Sequence, residues 1–358
     1  MSIPSTHKVA FVREFGKPLS IEEVPTPKPK GTEVLVKISG AGICHTDVHV
    51  WEGVWKPAGI PPRLPWIISH ELTGIVVDKG EKVPDTVKVG QKVLIFAWGW
   101  SEEDVYVWKG YSNLTDYPLH LGVWTEGGLR EYFLVPHYRY LVDVEGIDDL
   151  PAAAPLGCAG LTTYRVVKKA KNVLEGDDYV VVVGVGGLGM YALKWLNLLA
   201  PYTNVIAVDV RDDVLEFASK RAHIDHLINA SKTDPVSTIM EITSRKGAKV
   251  VIDTVGIEKT VSTYYNVVGK TGVFFLVGMG GIAATIAPLL AMSTMEKSIS
   301  GIVVGTLPEQ IEVVNLAKKG KINYKDVISK RLKIEEATEA LEAIRHGKAL
   351  GRQIVVFP

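Results

Sequence analysis

Cysteine is nearly absent from this chain: two residues, Cys44 and Cys158, in 358. A disulfide framework and any zinc module built from clustered cysteines are excluded, and a reducing compartment suits such a protein. Surplus charge is missing too, since forty Lys and Arg balance forty Asp and Glu. Without a net field there is no electrostatic footprint for a phosphate backbone or an anionic membrane surface, so neither nucleic acid nor membrane is an expected partner. The opening MSIPSTHKVAFVREFG has no long apolar core after a basic start, so no signal peptide is read. One charge-free stretch, residues 271–295, could span a bilayer on length alone. Gly278, Gly280, Gly281 and Pro288 break it into a short strand, a turn and a second apolar element, as a buried α/β core would. The expected location is cytoplasmic.

What is present changes texture along the chain. Over the first 150 residues, segments 34–38, 72–77 and 93–96 are strand-like and punctuated by Gly and Pro. Trp98, Trp100, Trp108 and Trp124 crowd one loop-rich segment. From about residue 160, strands at 179–183, 205–208, 226–228, 250–252 and 273–277 alternate with helical patterns at 188–199, 214–221, 235–244 and 259–268. That alternation implies right-handed crossovers and a doubly wound parallel sheet with helices on both faces. Beyond about residue 304 the chain is charged and helical, and it ends in an apolar strand at 353–357.

Gly184-Val185-Gly186-Gly187-Leu188-Gly189 follows the first buried strand and opens a helix. Gly184 permits the tight turn, Gly186 lets the backbone approach a pyrophosphate, and Gly189 allows close helix–strand packing at a helix N-terminus. Such a turn alone is weak evidence, but Asp209 closes the next strand twenty positions after Gly189. A carboxylate there accepts hydrogen bonds from an adenosine ribose and repels a 2′-phosphate, which favours NAD over NADP. Arg211 is placed to soften that preference by pairing with a phosphate.

Each cysteine taken singly is most simply a small buried hydrophobe. Their neighbours alter that reading. Cys44-His45-Thr46-Asp47-Val48-His49 packs thiol, imidazole, hydroxyl and carboxylate into six residues, His70-Glu71 follows, and Cys158 lies in Pro155-Leu156-Gly157-Cys158-Ala159-Gly160-Leu161-Thr162-Thr163-Tyr164. With the glycine turn and the closing Leu350-Gly351-Arg352, these segments resemble, in order, the zinc-dependent alcohol dehydrogenases of the medium-chain dehydrogenase/reductase family. The likeness covers essentially the whole chain.

The resemblance implies an α/β protein: a GroES-like, β-rich catalytic domain from residues 1–160 and 304–358, enclosing a Rossmann domain at 161–303. It implies one catalytic zinc on Cys44, His70 and Cys158, with Glu71 behind the metal or ligating it transiently. Two thiolates and one imidazole fill three tetrahedral positions and leave one open, the arrangement of a catalytic site. Asp47 is expected to orient His70. Thr46 and His49 are expected to carry the proton away, through the cofactor ribose, as hydride passes from a zinc-bound alkoxide to NAD. His45 and Arg352 match positions at the pyrophosphate, Val277 a backbone contact to the nicotinamide, and Trp55 and Trp98 an aromatic substrate pocket suited to small aliphatic or aromatic alcohols. Many relatives carry a second, structural zinc where this chain has Ser101, Asp104, Val107 and Thr115, a set that cannot hold zinc. No structural zinc is expected, and the Trp-rich lobe is expected to be held by aromatic burial.

The implied reaction is reversible, NAD-dependent oxidation of primary or secondary alcohols to aldehydes or ketones by a homo-oligomer, tetramer or dimer. A polyol or sugar dehydrogenase of the same superfamily is the nearest alternative, and a zinc-free quinone or enoyl reductase is disfavoured by the ligand set. A catalytically silent NAD-binding protein is more distant, because it has no need of Thr46 with His49.

Overall fold

In a computed structural model, residues 3–116, 118–286 and 289–358 are described, and they form two compact units. Pro288 lies outside the described residues, as do Met1 and Ser2 at the head of the opening segment. One unit joins Met1–Cys158 to Gly305–Pro358, and the other is Ala159–Val304.

The second unit is built on strands that read as uninterrupted β-branched runs because both their faces are covered. Its six strands lie in the order His226–Asn229, Asn204–Asp209, Tyr179–Val183, Ala248–Asp253, Val268–Leu276 and Ser298–Gly301, all parallel. The chain winds outward one way from Tyr179–Val183 and then the other. The switch point therefore falls between the carboxyl ends of Tyr179–Val183 and Ala248–Asp253, where such sheets bind ligands. Val180, Val181, Val182, Val250, Val251 and Ile252 are fully buried at the centre. Each such side chain contributes about 1.5–3 kcal/mol by leaving water.

One expected boundary moves. The helix Glu258–Tyr264 gives way to the 3-10 turn Tyr265–Val267, and the next strand already starts at Val268. Gly269 and Gly272 interrupt its apolar pattern, so only the second half of that strand was visible in the sequence. No described helix is long and apolar enough to cross a membrane.

The first unit centres on a seven-stranded sheet. Val34–Ile43 runs through its middle, pairing antiparallel with Glu71–Lys79, with Tyr132–Val135 and with the C-terminal Arg352–Val356. The tail thus returns to the N-terminal part, with Gln353 opposite Ile43 and Gly42 opposite Glu71. These two registers bring the residue after Ile43, the start of Glu71–Lys79 and the start of the last strand to one place.

In the Trp-rich lobe the expected aromatic burial covers only part of the set, with Trp100 packed edge to face on Phe96 and Tyr140. Trp98 is buried, but Trp108 is 73% exposed and Trp124 38% exposed. Asp104, itself buried, also ties the segment together. Its Oδ1 accepts from Tyr106 N at 2.7 Å, and its Oδ2 accepts from Thr115 Oγ1 at 2.8 Å and Asp116 N at 2.6 Å. A carboxylate closes this loop by collecting donors from both of its ends. Asp104→Ala leaves those donors short of an acceptor and should cost about 2 kcal/mol of local stability. Limited proteolysis should then cut faster within 101–116 while zinc content is unchanged; equal cleavage rates would show that the loop is held by something else.

Candidate metal centre and nucleotide site

The metal centre is assembled by a short helix and two strand ends. His45–Glu52 begins at Cys44, whose extended backbone sets it as the cap, and ends at Gly53 with φ 75°. Asp47, at the third helical position, turns back so that its Oδ2 accepts from Cys44 N at 2.7 Å. The same carboxylate's Oδ1 accepts from Ser69 N at 2.8 Å and stands 3.5 Å from His70 Nδ1. Ser69 adopts φ 75°, a conformation that side-chain-bearing residues rarely take, and its hydroxyl donates to Gly42 O at 3.0 Å. Asp47 was expected to orient His70. Its two hydrogen bonds run to the amide of Cys44 itself and to that of Ser69, just before His70, and the imidazole stands at ion-pair distance.

Cys158 is brought in by the segment before it. Leu156 O accepts from Gln310 Nε2 at 3.2 Å, and Gly157 O accepts from Trp98 Nε1 at 3.1 Å. The ligand atoms of Cys44, His70, Glu71 and Cys158 all lie within 4.8 Å of one another, and all four residues are buried. Glu71 fits because residue 42 is glycine: a Cβ there would sit 2.0 Å from Glu71 Oε2. Arg352, expected at a pyrophosphate, is buried and donates its Nε to Glu71 Oε2 at 3.2 Å and an Nη to Glu71 Oε1.

The donor set suits a divalent metal that favours nitrogen and sulfur. Among the described residues neither buried ring nitrogen of His70 has a partner within normal hydrogen-bond geometry. The Cys44 thiol, receiving a hydrogen bond from Cys158, is drawn well below the usual thiol range; Cys158, which gives that bond and is buried, is pushed well above it. Two adjacent thiolates need a cation to coexist, and zinc bound here would supply one. Burial opposes a charge on His70, but the Asp47 carboxylate raises it well above the usual histidine range. Burial likewise raises Glu71, opposed by Arg352.

Along the helix, Thr46 and His49 are three residues apart and therefore share a face. His49 is buried, its ring centroid 4.8 Å from His45 and 5.1 Å from Trp55. Burial, and then His45, lower it to about 4, so the imidazole is neutral near pH 7 and a weaker base than a free one. Trp55 is half-buried. Trp98 stands with its ring 5.3 Å from that of His70.

In the second unit the glycine turn has the geometry of a phosphate cradle. Gly184 takes φ 77°, and a Cβ on Gly189 would fall 2.0 Å from Gly184 O. A Cβ on Gly186 would meet nothing within 4 Å, so open space faces the N-terminus of the helix Gly187–Leu199. Leu188 lies in that helix's first turn. Asp209 Oδ2 accepts from Val185 N at 3.0 Å, which fixes the carboxylate beside the turn. Arg211 Nε donates to Asp213 Oδ1 at 3.0 Å, and the pair is bidentate. Val277 N donates to Asp253 O at 2.9 Å. Asp253 in turn accepts from Val255 N, Gly256 N and Thr260 Oγ1, while Thr254 Oγ1 donates to Gly184 O at 2.6 Å. The sequence reading missed Gly42, Ser69, Asp213 and Asp253. For Asp253 the signal was a DTVG segment at the switch point; for Gly42 and Ser69 only the strand register reveals the role.

A glycine-turn parallel sheet and a buried two-thiol, one-imidazole cluster define a metal-dependent, dinucleotide-linked dehydrogenase as the class. Residues 30–146 match the alcohol dehydrogenase GroES-like domain, and residues 184–319 match the zinc-binding dehydrogenase domain. The chain is 40% identical to an NAD-dependent alcohol dehydrogenase of Sulfurisphaera tokodaii over 96% of this chain and 98% of that protein. It is 38% identical to one of Saccharolobus solfataricus, with 96% and 98% covered. The solved alcohol dehydrogenase of Aeropyrum pernix superposes with a TM-score of 0.90 at 33% identity, covering 98% of this chain and all of that one. This chain belongs to the zinc-type alcohol dehydrogenases of the medium-chain dehydrogenase/reductase family.

Two outcomes follow from these contacts. Gly42→Ala should displace Glu71 and lower zinc affinity about 10- to 100-fold, as loss of a ligand's support does; chelator competition reads this, and unchanged affinity would mean that Glu71 is not needed. Asp213→Ala should release Arg211 and raise kcat/KM for NADP about two- to fivefold, the reach of a partly exposed ion pair. No gain would mean Asp209 alone sets the preference.

Proposed function

We propose that the chain is an NAD- and zinc-dependent dehydrogenase that reversibly oxidises primary and secondary alcohols to aldehydes and ketones. The observation that carries the proposal is the buried cluster of Cys44, His70, Glu71 and Cys158, in a chain that also holds the Gly184–Gly189 turn with Asp209. When bound, zinc lends Lewis acidity to an alcohol oxygen, and NAD accepts the hydride.

The remaining work falls to side chains. Cys44, His70 and Cys158 would hold the metal, Glu71 with Arg352 would stand behind it, and Asp47 would keep the two ligand-bearing segments in place. Thr46 would take up the proton from the alcohol hydroxyl and pass it on, and neutral His49 on the same helix face would receive it for release to water. The Gly186–Gly187–Leu188 amides would bind the pyrophosphate, and Asp209 would bind the adenosine ribose. Val277 would meet the nicotinamide through its backbone, and Trp55 and Trp98 would wall the substrate site. Two buried thiols without a disulfide suit the cytoplasm. The edge strand Ser298–Gly301 offers a pairing surface for a homo-oligomer, dimer or tetramer.

NADH formation from NAD with a panel of primary, secondary and polyhydric alcohols, before and after chelation, tests the reading. Activity on simple alcohols, lost on chelation and restored by zinc, is expected. Thr46→Ala should cut turnover about 100-fold or more while NAD affinity stays nearly intact. Binding of NAD without turnover of any alcohol in the panel would count for the silent-binder alternative.

A further inference from the structure

Ser69, the residue before His70, takes a backbone conformation that its own side chain opposes. Its φ of 75° lies in the left-handed region, and the residue is fully buried. Glycine enters that region without steric cost, whereas a Cβ is crowded there, so a turn needed only for its shape would be more stable with glycine. Strained residues persist where their surroundings over-determine them, and they gather at functional sites.

The surroundings of Ser69 do this. Its amide donates to Asp47 Oδ1 at 2.8 Å, and its carbonyl accepts from Gly128 N at 2.9 Å. Just upstream, Ile67 O accepts from Gly127 N at 2.7 Å and Ile68 O from Leu129 N at 3.1 Å. Residues 67–69 make those bonds with backbone atoms, which a glycine at 69 would offer as well. What serine adds is a hydroxyl, and it donates to Gly42 O at 3.0 Å. Gly42 lies on Val34–Ile43, two residues before Cys44 and opposite Glu71. The hydroxyl thus ties the residue before His70 to the strand end that delivers Cys44. Asp47 already links these two segments through the Ser69 amide. One link sets a separation and leaves rotation about itself; a second, from another atom to another residue, removes that rotation.

We propose that Ser69 is a positioning residue of the metal centre: its hydroxyl bond to Gly42 O fixes the direction in which His70 faces Cys44, and the strained turn is kept for that bond. This rests on the zinc-binding reading above. The group whose loss matters is the hydroxyl, not the turn.

Two variants separate the hydroxyl from the turn. Ser69→Gly removes the hydroxyl and relieves the backbone, whereas Ser69→Ala removes the hydroxyl and keeps the strain. Competition with a chelating dye should show zinc affinity lowered about tenfold in both. Heat unfolding in excess chelator should place Ser69→Gly above Ser69→Ala, because only the first relieves the turn. Zinc affinity then follows the hydroxyl while stability follows the backbone; a merely structural role would make affinity follow stability. With cobalt(II) loaded in place of zinc, the visible ligand-field bands should shift in both variants. Wild-type zinc affinity or an unshifted cobalt spectrum in either variant, or a reversed order of stability, overturns the Ser69 assignment alone. A wild type that binds no zinc overturns the metal reading and this one with it.

Discussion

The carboxylate of Asp47 is the constraint on which the metal centre depends. It is fully buried, an expensive place for a charge, and it is kept there by the amides of Cys44 and Ser69 and by the nearby ring of His70. Those amides belong to two segments twenty-odd residues apart, which carry Cys44 and His70 of the candidate metal cluster. Removing the carboxylate would orphan both amides and release the strained turn at Ser69, so ligand geometry and local stability are one problem here. A helix capped by its own third residue is a common local device. At Cys44–Asp47 its other oxygen is directed across the fold, which turns a cap into a crosslink.

Around that crosslink the charges are arranged to be tolerable only as a set. Glu71 is enclosed by strand register and by the missing side chain at Gly42, and Arg352 reaches it because the last strand returns beside Val34–Ile43. Breaking such a buried bidentate pair costs about 3–5 kcal/mol, because it strands one charge. The two thiols pose the problem of like charges: one can be a thiolate only if the other holds a proton, until a cation joins them. Zinc bound there would let both sulfurs and the imidazole take the protonation states of ligands, with release of protons.

Much of this was legible in the chain because the informative residues are local. The glycine turn, Asp209 and the C-H-T-D-x-H segment are short stretches whose chemistry survives being read one residue at a time. The parallel sheet was legible for a related reason, since strands covered on both faces print themselves as apolar runs. What the sequence concealed is long-range. The roles of Gly42 and Arg352 follow from antiparallel registers among Val34–Ile43, Glu71–Lys79 and Arg352–Val356, and no window of a few residues contains a register. Asp213 looked like an ordinary first-turn acid until its side chain was seen to occupy Arg211.

The Asp104 loop shows what a metal contributes and what it does not. At the Cys44–Cys158 cluster the chain keeps thiols, which bind zinc but stabilise little on their own. Residues 101–116 contain no cysteine, and one carboxylate there gathers three donors. Hydrogen bonds to a charged acceptor are worth about 1.5–3 kcal/mol each, against about 10–16 kcal/mol for zinc on a thiolate-rich structural site. A carboxylate is therefore the weaker clasp, adequate where only the path of a loop must be held. It cannot replace the metal at the cluster, where the requirement is an electrophile with an open position rather than a shape. The division follows from chemistry: a loop asks for closure, which oxygen and N–H groups can give, whereas stabilising an ionised alcohol at neutral pH asks for positive charge that no neutral hydrogen-bond donor supplies.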